Sequence, residues 1–181
     1  MPRIPIIERA DMNAEQARVY DAAKQGSGIV GGPFLAYIRL PKLFEACQTL
    51  RESLAHGPLS ARETQIVNLT VARHWGARYP WFAQARRSLS IGIAPAVVDA
   101  INARQTPDLP DARERTCHAV ARELLADRRL SDQSYTAAEK TMGTEAMVAL
   151  VATTGSFSMT CMTANSFGVE PPADNPTPLK E

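Results

Sequence analysis

Residues 60–92 read SARETQIVNLTVARHWGARYPWFAQARRSLSIG, and their pattern decides the fold. Ser60 with Glu63 is a capping box: the serine hydroxyl accepts a first-turn N–H while the carboxylate reaches back to the cap. Ile66, Val67, Leu69, Val71 and Ala72 then crowd a helix on most of its sides, which predicts a core helix. Gly76 loosens its end, Pro80 suits the first turn of a second helix, and Gly92 closes that helix as a left-handed C-terminal residue. Polar side chains thus stand at a hinge between two buried helices, where chemistry is expected.

Upstream of this pair, Asn13 and Gln16 start a helix that runs to Lys24, and short and longer helices are predicted over 34–39 and 42–55. Downstream, helices are predicted over 95–103, 111–126 and 131–141, then over Thr144–Phe167, the longest. No alternating strand pattern or internal repeat interrupts the series. The fold class is therefore all-α, a single-domain helical bundle over residues 13–170. Residues 1–12 read as an extended arm of the kind that lies over a neighbouring subunit, and 171–181 as a mobile, proline- and charge-rich tail.

A chain of 181 residues, 45% apolar, can bury one sizeable core. Its formal charge of +1, from well-mixed acids and bases, argues against a nucleic-acid footprint. No apolar run reaches the roughly 18–20 residues of a membrane span, and the N-terminus lacks a signal-peptide core, so a cytoplasmic protein with no membrane partner is expected. Cys47, Cys117 and Cys161 are widely spaced and odd in number, which fits buried thiols in a reducing compartment. His56, His74 and His118 form no ligand spacing, so no metal is expected.

Residues 26–33 are glycine-rich, but no strand precedes them and no Gly-Lys-Ser/Thr follows, so a loop permitting close backbone approach is the expectation. Thr153, Ser156, Thr160 and Thr163 line one side of the last helix, either bonding the carbonyl a turn back or lining a polar cavity. On the core helix, Gln65, Asn68 and Ala72 share a stripe, and Gln84 and Ser88 share a face of the next helix. Buried amides need partners, so Gln65 and Gln84 either bond each other and local backbone or face a ligand. Arg73 and Arg78 flank the hinge, where they would clamp a carboxylate or neutralise helix C-terminal carbonyls. His74 either exchanges a proton near neutral pH or packs on Trp75.

The run Arg62-Glu63, Val71 to Gly76, Tyr79-Pro80-Trp81, Ala85 and Gly92-Ile93 resembles the carboxymuconolactone decarboxylase family, which includes the alkylhydroperoxidase D (AhpD) enzymes. Residues 31–37 and 148–171 support the resemblance, which covers roughly 15–171. It implies an AhpD-like helical bundle that assembles as a homo-oligomer, a dimer or hexamer. By spacing, the peroxidase members' Cys-x-x-Cys pair falls on Ala77 and Pro80, their histidine on Gln84 and their glutamate on Gln65. The decarboxylase members' glutamate falls on Pro80. None of the family's redox or acid–base groups stands at these positions.

What the resemblance implies is a pocket for a small organic acid or lactone, worked without metal, organic cofactor or redox thiols. His74, Tyr79 and Gln84 would be its catalytic residues, and Gln65, Arg73, Arg78 and Trp81 its substrate-binding residues. The alternative is a catalytically silent member that binds a ligand or serves assembly. Thiol peroxidase, the family's other label, lacks its cysteines here.

Overall fold

The computed structural model describes residues 3–26 and 28–181; residues 1 and 2 of the arm and Ser27 of the glycine-rich loop lie outside them. Nine α-helices follow a short 3-10 turn at Arg9–Asp11, with no strand among the described residues. They are α1 (Ala14–Gln25), α2 (Phe34–Tyr37), α3 (Pro41–Ala55), α4 (Ala61–His74), α5 (Arg78–Ser90), α6 (Pro95–Asn102), α7 (Ala112–Asp127), α8 (Asp132–Met142) and α9 (Thr144–Phe167).

α4 is the axis of the bundle, packing on α5, α6, α7 and α9. Ile66, Val67, Leu69, Val71 and Ala72 are fully buried, so the apolar crowding does mark a helix enclosed on most sides. Both capping boxes form, Ser60 with Glu63 and Asn13 with Gln16. Gly76 adopts φ 58° and lets Ala77 N–H return to the Ala72 carbonyl at 3.0 Å, ending α4 so that α5 can fold back beside it. Two crossed ion pairs tie the start of α4 to the start of α7. Arg62 Nε donates to Glu114 Oε1 and Arg113 Nε to Glu63 Oε1, each at 2.6 Å.

A smaller core joins α1, α2 and α3 around Val19, Phe34, Tyr37, Ile38, Phe44 and Cys47. Phe34 meets Tyr37 and Phe44 edge to face, with ring centroids 5.5 and 6.1 Å apart. The tyrosine hydroxyl lies 2.8 Å from Thr163 Oγ1, which couples this core to α9. The hydroxyls of α9 bond backward: Ser156 to the Thr153 carbonyl, Thr160 to that of Ser156, and Thr163 to that of Met159.

The described part of the arm meets its own bundle: Arg3 N–H donates to the Phe167 carbonyl at 2.8 Å and Arg39 binds the Pro5 carbonyl. Two expectations change. The tail is anchored despite its composition. Trp81 Nε1 donates to the Thr177 carbonyl (3.0 Å), Asn102 Nδ2 to that of Pro178 (2.9 Å), and Lys180 N–H to Asn102 Oδ1 (2.9 Å). One asparagine side chain thus pairs with the tail as a second backbone would, and Leu179 packs on the core beside it. Finally, α9 is long and apolar enough to cross a membrane by length and composition, but its Thr153, Thr154, Ser158 and Cys161 are buried in the bundle.

Candidate functional site

The polar faces of α4 and α5 meet. Ser88 Oγ donates to Gln65 Oε1 at 3.4 Å and Asn68 Nδ2 to Gln84 Oε1 at 3.5 Å. Both bonds sit at the long end of the useful range, so this amide–hydroxyl set is loosely closed. Gln65 and Asn68 are only 9% and 8% exposed, and Asn68 Oδ1 is buried without a partner. A buried acceptor left unmade costs about 1–3 kcal/mol, which marks it as the point where the set is incomplete. Amides and a serine hydroxyl orient a ligand but exchange no protons near neutral pH.

The remaining predicted site residues do not join this set. At about 100° per residue, Arg73 lies about 80° and His74 about 180° around α4 from Gln65. Arg73 is buried and spends its Nε on the Asn102 carbonyl at 2.6 Å, at the C-terminus of α6. Arg78 is exposed at the start of α5 and stands 3.6 Å from Glu170, so the two arginines form no clamp. His74 meets Trp75 edge to face at 5.6 Å. Trp81 has no exposed surface and is committed to the tail, so it offers nothing to a substrate. Tyr79 leaves α5 about 140° around from Gln84, and its ring lies on Gly32, whose added Cβ would fall 2.2 Å from Tyr79 Cε1. The glycine-rich loop therefore does serve close backbone approach.

Arg73 and His74 open instead into a cavity of about 230 Å³ on the other side of α4. Arg104, His118 and Arg122 complete its basic lining. Burial and then Arg104 hold His74 below the ordinary histidine value, although the residue as a whole is exposed. Burial and then Arg122 pull His118 to about 4. Sequence reasoning missed Arg104, His118 and Arg122, which come from two further segments with no motif spacing. A second cavity, of about 470 Å³, opens beside Arg113 and Met142 at the start of α9. Neither cavity is lined by Gln65, Asn68 or Gln84.

No thiol is poised for chemistry. All three cysteines are free and buried, and burial raises each pKa, that of Cys117 to about 12. Among the described residues no three His, Cys, Asp or Glu side chains gather as a metal-binding group.

The bundle matches solved structures over nearly its whole length. A peroxidase-related protein from Ralstonia eutropha, described as an alkylhydroperoxidase AhpD core, superposes with a TM-score of 0.77 at 19% identity, over 96% of this chain and 93% of that one. A peroxidase-related protein from a Silicibacter species gives 0.78 at 18% identity, over 99% and 96%. The chain has the AhpD-like fold. A variant of the debrominase Bmp8, solved with 2,3,4-tribromopyrrole, shares that fold with a TM-score of 0.76 at 16% identity, over 96% of this chain and 95% of that one. At these identities the likeness is one of fold. No family model and no curated protein matches the sequence. Within the AhpD-like fold, the two positions that the resemblance aligns with redox cysteines are Ala77 and Pro80, both buried at the start of α5.

Proposed function

We propose that this AhpD-like protein binds a small organic acid or lactone at the α4–α5 face and neither reduces peroxides nor relies on a thiol. The observation that carries the reading is the amide–hydroxyl set of Gln65, Asn68, Gln84 and Ser88, with one buried acceptor, Asn68 Oδ1, unpartnered. A hydroxyl carried by such an acid or lactone would complete it, because a carboxylate and a lactone ring bring only acceptors. Decarboxylation at this face would need a proton-exchanging group, and His74 stands on the opposite side of α4. The binding role, the alternative the sequence left open, is therefore the better supported.

Titrating the protein with 4-hydroxybenzoate and with a hydroxy-γ-lactone, each of which brings a hydroxyl donor, followed by amide NMR shifts, tests this. Saturable shifts confined to α4 and α5 are expected, with no turnover of either compound and no thiol-dependent peroxide reduction above a protein-free control. Asn68→Leu should abolish the shifts while leaving the fold about as stable, because it removes an unpaired buried acceptor and loses only the 3.5 Å bond to Gln84, whose side chain is half-buried. Peroxide turnover that disappears when Cys47, Cys117 and Cys161 become serine would sink the reading, as would saturable binding that survives Asn68→Leu.

The same reading includes self-association. Val148, Val151 and Met162 are exposed on one stripe of α9, and a Cβ added at Gly155, on the same stripe, would meet nothing. Such a stripe suits close packing against a second copy of α9. Light scattering at micromolar concentration is expected to report a dimer or a higher even multiple, and a monomer would refute this contact.

A further inference from the structure

The cavity between α4, α6 and α7 has a composition that the α4–α5 reading does not use. Thr70, Arg73 and His74 reach it at i, i+3 and i+4 of α4, and His118 and Arg122 at i and i+4 of α7. Arg104 comes from the turn that closes α6. Three arginines and two histidines therefore line one cavity, and none of its nine lining residues is acidic.

None of the three arginines belongs to an ion pair among the described residues. Arg73 is the most telling. It is 7% exposed, its Nε is bonded to a neutral carbonyl, and its charged neighbour is Arg104, a like charge. A guanidinium buried among cations is costly unless an anion compensates it. Backbone geometry adds an independent sign. Arg104 holds φ 59°, a left-handed conformation at the end of α6 that ordinarily belongs to glycine. The chain keeps an arginine where its backbone favours the residue with no side chain, and that side chain lines the cavity. At about 30 Å³ per water, the cavity offers the room of roughly seven or eight waters, which suits a compact ligand.

We propose that this cavity is a binding site for a small oxyanion carrying at least two negative charges, of phosphate or oligocarboxylate type. The forked guanidinium donors match such oxygens two at a time, and an ammonium in their place would not. The site is separate from the α4–α5 face and does not depend on what binds there.

Isothermal titration calorimetry on the full chain, with inorganic phosphate and with citrate at an ionic strength held constant by sodium chloride, decides the matter. Saturable binding of at least one of the two is expected, and which one binds identifies the source of the charge. Arg104→Gly is the decisive variant, because it deletes the charge at a position where glycine relieves backbone strain. Its melting temperature without ligand should stay level or rise while affinity falls by roughly tenfold or more. Arg122→Gln, an exposed position on α7, should weaken binding similarly, whereas Arg86→Gln on α5 should bind like the parent chain. The proposal is overturned if neither anion binds above the chloride background, or if both Arg104→Gly and Arg122→Gln retain the parent affinity.

Discussion

Gly32→Ala is expected to destabilise the protein by roughly 2–4 kcal/mol, a large share of the ordinary 5–15 kcal/mol of a folded domain. Two costs add. Gly32 holds φ 58°, where any side chain is strained, and the new Cβ would fall 2.2 Å from Tyr79 Cε1 and 2.7 Å from Cζ. The following turn cannot easily yield, because Leu35 N–H is bonded to the Gly32 carbonyl at 3.1 Å and Phe34 is locked in the smaller core. The partner of the clash is checkable by a double-mutant cycle. Tyr79→Ala removes the ring and should recover the steric part, leaving only the backbone cost of about 1–2 kcal/mol. Tyr79→Phe keeps every clashing atom and should recover nothing. Equal recovery by both, or additivity of Gly32→Ala with Tyr79→Ala, would mean that the loop does not rest on that ring.

That contact shows which parts of the structure were legible in the sequence. Helix ends were, because their signals are local: Ser60 with Glu63, Asn13 with Gln16, Gly143 and Pro95 act within a few residues of themselves. The burial of α4 was too, since its apolar residues surround it with no need of a partner's identity. Two helical stripes grouped Gln65 with Asn68 and Gln84 with Ser88, but the bonds that form are Gln65–Ser88 and Asn68–Gln84, not the expected Gln65–Gln84 contact. What failed was everything requiring rotation or distance. Arg73 and His74 follow Gln65 closely in sequence yet point to other sides of the same helix.

The tail shows the second limit. Its composition, proline and charge with little apolar surface, reads as mobile because it contains no core of its own. Its order comes instead from Trp81 and Asn102, which lie 96 and 76 residues from their partners Thr177 and Pro178. The basic cavity combines both limits. Arg104 and Arg122 become neighbours of Arg73 only once α6 and α7 have packed on α4.

Glu63→Ala is expected to cost about 2–4 kcal/mol, below the 3–5 kcal/mol typical of breaking a fully buried pair because water reaches part of Arg113. Its carboxylate performs two tasks at once. Oε2 accepts the Ser60 N–H at 2.7 Å, closing the cap of the central helix, and Oε1 accepts Arg113 Nε at 2.6 Å, tying α4 to α7. Burial alone would raise the Glu63 pKa, but Arg113 and the bonds from Ser60 outweigh it and hold the carboxyl below the ordinary value. The native state therefore takes up its proton at lower pH than the unfolded chain does. The stabilisation is complete above the unfolded pKa and is lost as pH falls through the folded one, over a window from about pH 5 downward. Glu63→Gln, which keeps the shape and one acceptor, should lose part of the stability at pH 7 and flatten this acid limb. Urea unfolding of both proteins at pH 7 and in the acid range measures it. The stability gap between them should shrink as pH falls, and a gap that stays constant would show that the Glu63 charge contributes nothing to holding α4 against α7.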